Sequence, residues 1–195
     1  MSSGALSLLP IFIVLLVVGA VIWAIIRSRK NEKIVVDEDG KKVRSGLGGW
    51  LILVGLGVVF SPLRLLAEVP KTFLPIFEDG TYEIITTPGT EAYHPFWSAL
   101  IWGEILYNTL IFVASLYLAY LYFSKKSLFP KFYTWIAVGS LAFILLDAVL
   151  IKVVLPNEPI FDPDTIKEVA RSGMVVLVWV PYMMLSKRVK ATFVN

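Results

Sequence analysis

Ionisable residues interrupt stretches of this chain that are otherwise apolar: Arg64, Glu68, Glu104, Asp147, Lys152 and Arg171. In hydrocarbon each costs about 2.5–3.5 kcal/mol at a helix centre, so each needs a partner or water. Arg64 and Arg171 are bases, Glu104 and Asp147 are acids, and the set is neutral as a group. If they share a depth, they predict a buried ion-pair cluster. Asn108, one turn from Glu104 on the same helical face, is placed to hydrogen-bond into it. Such a cluster does one of two jobs. It fixes helix packing and rotation, or it lines a polar cavity for a ligand, an ion or a lipid headgroup. Unpaired groups that snorkel to the surface are the remaining option. Glu68 and Lys152 fall nearer the ends of their spans, within reach of headgroups.

Other chemistry is scarce. There is no cysteine, which excludes disulfides, thiolate catalysis and cysteine metal sites. The single histidine, His94, argues against haem or a multi-histidine metal centre and reads as an interfacial, structural residue. Carboxylates show no metal-binding spacing. Phosphate loop, dinucleotide fingerprint and nucleophile elbow are all absent. Gly46-Leu47-Gly48-Gly49-Trp50 is glycine-rich but opens an apolar helix, so it reads as close packing. A lipid-modifying enzyme would have to use Glu104 and Asp147 for acid–base work, with no motif to support it. The expectation is no catalytic residue, no cofactor and no metal.

The elements that hold these residues must be membrane helices. Of the 195 residues 57% are hydrophobic and only 17% charged, against about 25% charged in soluble domains. Mean hydropathy is +0.75. The bilayer is the solvent that suits such a chain. The net charge of +3 then reports topology, not nucleic acid. Five spans are expected: Leu8 to Ile26, Gly48 to Val69, Pro95 to Phe123, Phe132 to Val154 and Val169 to Leu185. Each covers a hydrocarbon core of about 30 Å at 1.5 Å per residue, tilt and flanking residues included. Pro62 should bend the second. Tyr and Trp at the ends, among them Trp50, Trp97, Tyr133 and Trp135, suit the interfaces.

Basic residues crowd alternate loops. Arg27, Arg29, Lys30, Lys33, Lys41, Lys42 and Arg44 lie between spans one and two, Lys125, Lys126 and Lys131 between three and four, and Lys187, Arg188 and Lys190 in the tail. The other two loops hold only Lys71 and Lys167, with many acids. The positive-inside rule gives N-out and C-in. Nothing basic precedes span one, so it reads as an uncleaved anchor and not a signal peptide. Counted inward at 1.5 Å per residue, Arg64 lies about 8 Å, Glu104 about 13 Å, Asp147 about 10 Å and Arg171 about 3 Å from the outer ends of their spans. All four then share the outer half of the bilayer.

The connections are less regular. Residues 33–36 and 41–44 flank an Asp37-Glu38-Asp39-Gly40 turn signal and either pair as a short hairpin or stay open. The outer loop, 70–94, carries Pro70, Pro75 and Pro88 and a run of strand character at Tyr82–Thr87 that could cap the membrane surface. Asp164 or Thr165 is placed to cap span five.

From about Gly46 onward the chain resembles a bacterial four-span family known as domain of unknown function 2569. The matching segments begin with Gly48-Gly49-Trp50-Leu51, Ser61-Pro62-Leu63-Arg64 and Tyr93-His94-Pro95, followed by Glu104 and Asn108. Lys125-Lys126, Phe129-Pro130-Lys131, Asp147, Arg171-Ser172, Trp179-Val180-Pro181-Tyr182 and the tail Ser186 to Phe193 continue it. The resemblance implies a bacterial inner-membrane location and no activity. It divides the chain into an anchor with a basic cytoplasmic loop, residues 1–46, and a four-span domain, residues 47–195.

Taken together, the sequence predicts an all-α integral membrane protein, a bundle of about five helices in contact with lipid and open to partner membrane subunits. Two functions follow. One is a non-catalytic accessory subunit of an inner-membrane complex. The other is a small transporter or lipid- or solute-binding protein that uses Arg64, Glu104, Asn108, Asp147 and Arg171.

Overall fold

The structure, a computed structural model, describes residues 32–36 and 40–195, together with Gly19, Trp23, Ile26, Arg27 and Lys30. Expected span one therefore falls almost wholly outside the described residues. Two short strands, β1 (Ile34–Val36) and β2 (Lys42–Arg44), pair antiparallel with Val35 opposite Val43. The helices follow: α1 (Leu51–Glu78), α2 (Thr81–Thr86), α3 (Trp97–Phe123), α4 (Phe129–Val154), α5 (Pro163–Leu185) and α6 (Lys187–Thr192). Among the described residues α1, α3, α4 and α5 are long and apolar enough to cross a membrane. Their outward faces are apolar: Leu177 is 74% exposed and Trp135 79%. Faces of that kind need lipid around them, and the chain is a helical membrane protein with a small hairpin among the described residues.

The helices pack in a row. α1 lies on α3, α3 on α4 and α4 on α5. α1 and α5, the two ends of the row, scarcely pack together. They meet where the Trp50 ring stands edge-on to Trp179, 6.1 Å between centroids.

The best-packed core sits at one end of the bundle, where α1 begins, α3 turns into α4 and α5 runs into α6. Tyr122 is its centre, fully buried, with Phe129 and Phe193 against its ring. Its hydroxyl donates to the Leu51 carbonyl at 2.7 Å. The α6 tail docks here and is hydrogen-bonded into place. Gly46 N–H donates to the Thr192 hydroxyl at 2.9 Å, Ser127 N–H to the Asn195 carbonyl at 2.8 Å, and Arg188 reaches both the Gly46 carbonyl and Glu32. This end carries the basic loops, so we refer to it as the basic end.

Several boundaries differ from expectation, each for a local reason. α1 does not stop near Val69 but runs through Pro62, Pro70 and Pro75 to Glu78. Tyr82–Thr87 has β-branched residues yet folds mostly as helix α2, not as a strand. Gly80 enters it in the left-handed conformation, the Asp79 carboxylate accepts from Thr81 N–H at 2.9 Å, and the Tyr82 hydroxyl is held by Ser98 and Trp102. Those contacts outweigh local propensity. α5 begins at Pro163 because Asp162, not Asp164 or Thr165, is its N-cap and accepts from Thr165 N–H at 2.6 Å. Asp followed by Pro at the first helical position is a strong start signal. The earlier start puts Arg171 about 12 Å along the helix, deeper than the 3 Å expected.

Candidate functional site

Away from the basic end the row of helices opens around a cavity of about 670 Å³. All four membrane-length helices line it. Arg64 and Glu68 come from α1, Glu104 and Asn108 from α3, Asp147 from α4, and Glu168 and Arg171 from α5. The five residues singled out from sequence therefore face one space. A pocket of this size falls in the range that takes drug-sized or cofactor-sized molecules.

The pairing within the set is not the four-residue ion-pair cluster expected. Among the described residues, neither Arg64 nor Arg171 forms an ion pair with Glu104 or Asp147. Arg64 instead meets Glu68, one turn along its own helix, at 3.5 Å. Both are about half exposed, so the pair is solvated and weak. The intrahelical neighbour is within easy reach, whereas the acids of α3 and α4 stand across the cavity. Glu68, expected to reach headgroups, is thus part of the site.

The acids form their own group. Glu104 of α3, Asp147 of α4 and Glu168 of α5 line the cavity together. Asn108 turns back along its helix, donating from its side chain to the Glu104 carbonyl at 2.9 Å, and so does not bridge to the acids. On the same two helices the Tyr107 ring of α3 stacks on Phe143 of α4 with 3.4 Å between centroids. This contact fixes α3 against α4 at the level of the acids.

The cavity changes character along its length. The end described so far is polar. Toward the basic end its walls are apolar, with Val54, Gly57 and Val58 of α1, Leu118 of α3, Ala137 of α4 and Trp179 of α5. The Tyr122 core lies at that end of the bundle.

Sequence reasoning missed Glu168 and Thr165, since both were assigned to the loop before span five. The signal that finds them is Asp162-Pro163, which moves the helix start upstream. Lys152, thought to reach headgroups, folds back onto the α4–α5 connection and donates to the Pro156 and Glu158 carbonyls at 2.6 and 2.7 Å. His94 lies outside the cavity and accepts from Phe96 N–H at 3.3 Å. Among the described residues no group of His, Asp and Glu is placed to hold a metal ion.

No curated protein and no solved structure matches the chain. A family profile does. It covers residues 44–194, from the end of the hairpin to the docked tail, and carries the description protein of unknown function (DUF2569). Over that span, which includes the whole cavity, the chain belongs to the DUF2569 family.

Proposed function

We propose that this protein is a non-catalytic, multi-pass protein of a bacterial inner membrane that binds a small or amphiphilic molecule in its intramembrane cavity, as a transporter or carrier would. The observation that carries the reading is the convergence of charged side chains from four helices on one cavity of about 670 Å³. Charges that only fixed helix packing would pair off tightly and leave no room. Here Arg64 and Glu68 pair while half exposed, and the acids face open space. Five spans, with the N-terminus outside and the basic end in the cytoplasm, are part of this proposal and rest on the distribution of Lys and Arg. With that orientation the polar end of the cavity faces the outer leaflet.

The reading is non-catalytic because the hydroxyls that line the cavity, Ser61, Ser140 and Ser172 among them, have no histidine or lysine in that lining to act as their base. An accessory subunit of a larger assembly is the second role. It is favoured by the apolar outward faces of α4 and α5, which suit a neighbouring membrane protein as well as lipid.

The test is native mass spectrometry of the full chain extracted in mild detergent. A bound small molecule at one per chain, lost on substitution of Glu104 and Asp147 in a folded protein, is expected. A chain that arrives bare and takes up nothing from membrane lipid extract or metabolite pools sinks the binding reading. A protein partner in place of a small molecule would turn it into the subunit reading.

A further inference from the structure

The cavity has one charged end, one apolar end and an open side, and we propose that its ligand is an amphiphile with a cationic amine head that enters laterally between α1 and α5. This names the ligand class for the binding function proposed above and rests on it.

The division of the walls gives the amphiphile. Gly57 is in the apolar half and Glu68 in the polar half of the α1 wall, about 16 Å apart at 1.5 Å per residue. A uniformly polar solute would leave the apolar half unfilled, and a pure hydrocarbon would bury the charges at the other end without partners. A molecule with a polar head and an alkyl chain satisfies both.

The sign of the head follows from pairing. Arg64 is engaged by Glu68. That leaves Glu104, Asp147 and Glu168 opposite Arg171 alone, all four lining the same cavity. The unpaired excess is negative. An ammonium group set between Glu104 and Asp147 relieves their repulsion, and Arg171 remains available for an anionic group next to the amine, as in a zwitterionic headgroup.

The route follows from the row of helices. α1 and α5 touch at Trp50 and Trp179 and share the buried core at the basic end, and pack little elsewhere. Leu53, Gly57, Phe60 and Arg64 line the cavity and are exposed at the same time, so the α1 wall is open to the side. Gly57 has open space where a side chain would project. A larger residue there fills the apolar half without meeting the fold.

The experiment uses the full chain in maltoside micelles and native mass spectrometry with four probes: dodecylamine, phosphatidylethanolamine, dodecyl phosphate and tetramethylammonium. Retention of an amine amphiphile at one per chain is expected, with binding weakened about tenfold or more in E104Q/D147N and likewise in Gly57→Leu. Phosphatidylethanolamine retention identifies a membrane lipid as the source, and dodecylamine alone a free amphiphilic amine. Both outcomes support the proposal. Preferential retention of dodecyl phosphate, or tetramethylammonium bound as well as dodecylamine, overturns the ligand class while leaving a binding protein. Retention of none of the probes, together with a bare chain from membranes, overturns the binding function as well. Gly57→Leu touches no charged group, so it tests the apolar half even if E104Q/D147N fails to fold.

Discussion

The Tyr122 hydroxyl occupies the space that a side chain on Gly55 would fill. A Cβ built on Gly55 stands 2.5 Å from the hydroxyl oxygen and 2.8 and 2.9 Å from two ring carbons. Glycine is what lets α1 approach α3 closely enough for Tyr122 to reach the Leu51 carbonyl. Gly55→Ala should cost about 1–3 kcal/mol by overpacking, and Tyr122→Phe about 1 kcal/mol for the lost hydrogen bond. Because the ring carbons still collide, Y122F should rescue G55A little, while Tyr122→Leu should rescue it more. Thermal unfolding of the wild type, the single variants and the two double variants in detergent checks this. Full rescue by Y122F would mean that the ring is free to move aside.

A second glycine supports an ion pair. Arg188 and Glu32 close against Gly48, where a Cβ would collide with both side chains. Arg188 also donates to the Gly46 carbonyl at 3.2 Å. The pair is largely buried, 22% and 23% exposed, and ties the hairpin region to the tail. Arg188→Ala should destabilise the basic end by about 1.5–3 kcal/mol, the range for hydrogen bonds to charged groups. Limited proteolysis is the readout, with cleavage after Lys190 or Arg44 rising steeply. Unchanged protection would show that the apolar contacts of Val189 and Phe193 hold the tail without Arg188.

What could be read from the residues was the set of spans and the unusual charges. Hydropathy locates α1, α3, α4 and α5, and the cost of charge in hydrocarbon singles out Arg64, Glu104, Asp147 and Arg171. Depth follows from counting residues, but helix rotation and spacing do not. That is why a shared level was legible and the pairing was not: Arg64 meets Glu68 on its own helix, and whether it reaches the acids of α3 and α4 depends on which faces meet. Glu168 was hidden by a boundary error of less than two turns. The docking of α6 was hidden for another reason. Lys187 to Lys190 reads as a topological signal, and nothing local shows that Val189, Thr192 and Phe193 become buried.

Asp162 gives a pH prediction at that same boundary. Hydrogen bonds from the Thr165 backbone N–H and hydroxyl hold its carboxyl below the usual carboxylate range. A group whose folded value is depressed contributes stability that is present above its unfolded value, near 3.9, and is lost as pH falls through the folded one. Asp162→Asn keeps an acceptor for the cap but cannot titrate. Thermal midpoints of wild type and D162N should therefore stay parallel at neutral pH and converge as pH drops below about 4. The first two turns of α5 carry Thr165 and Glu168, so Asp162→Ala should also weaken ligand retention. Wild-type and D162N curves that remain parallel to pH 2 would remove Asp162 from the account.

The placement of the basic end has the most consequences for function, since it decides from which leaflet an amphiphile enters. Arg44, Lys126, Lys131, Lys187 and Lys190 all belong to that end, and Lys and Arg near membrane helices are retained on the cytoplasmic side. The chain has no cysteine, so single reporters are unambiguous. Pro88→Cys lies on the connection after α2 and Lys190→Cys on α6, and both positions are exposed. In intact cells a membrane-impermeant maleimide should label P88C and spare K190C, and both should react once the membrane is opened. Labelling of K190C alone would invert the molecule. The charged end of the cavity would then face the inner leaflet, and the pool of amphiphiles it samples would be the cytoplasmic one.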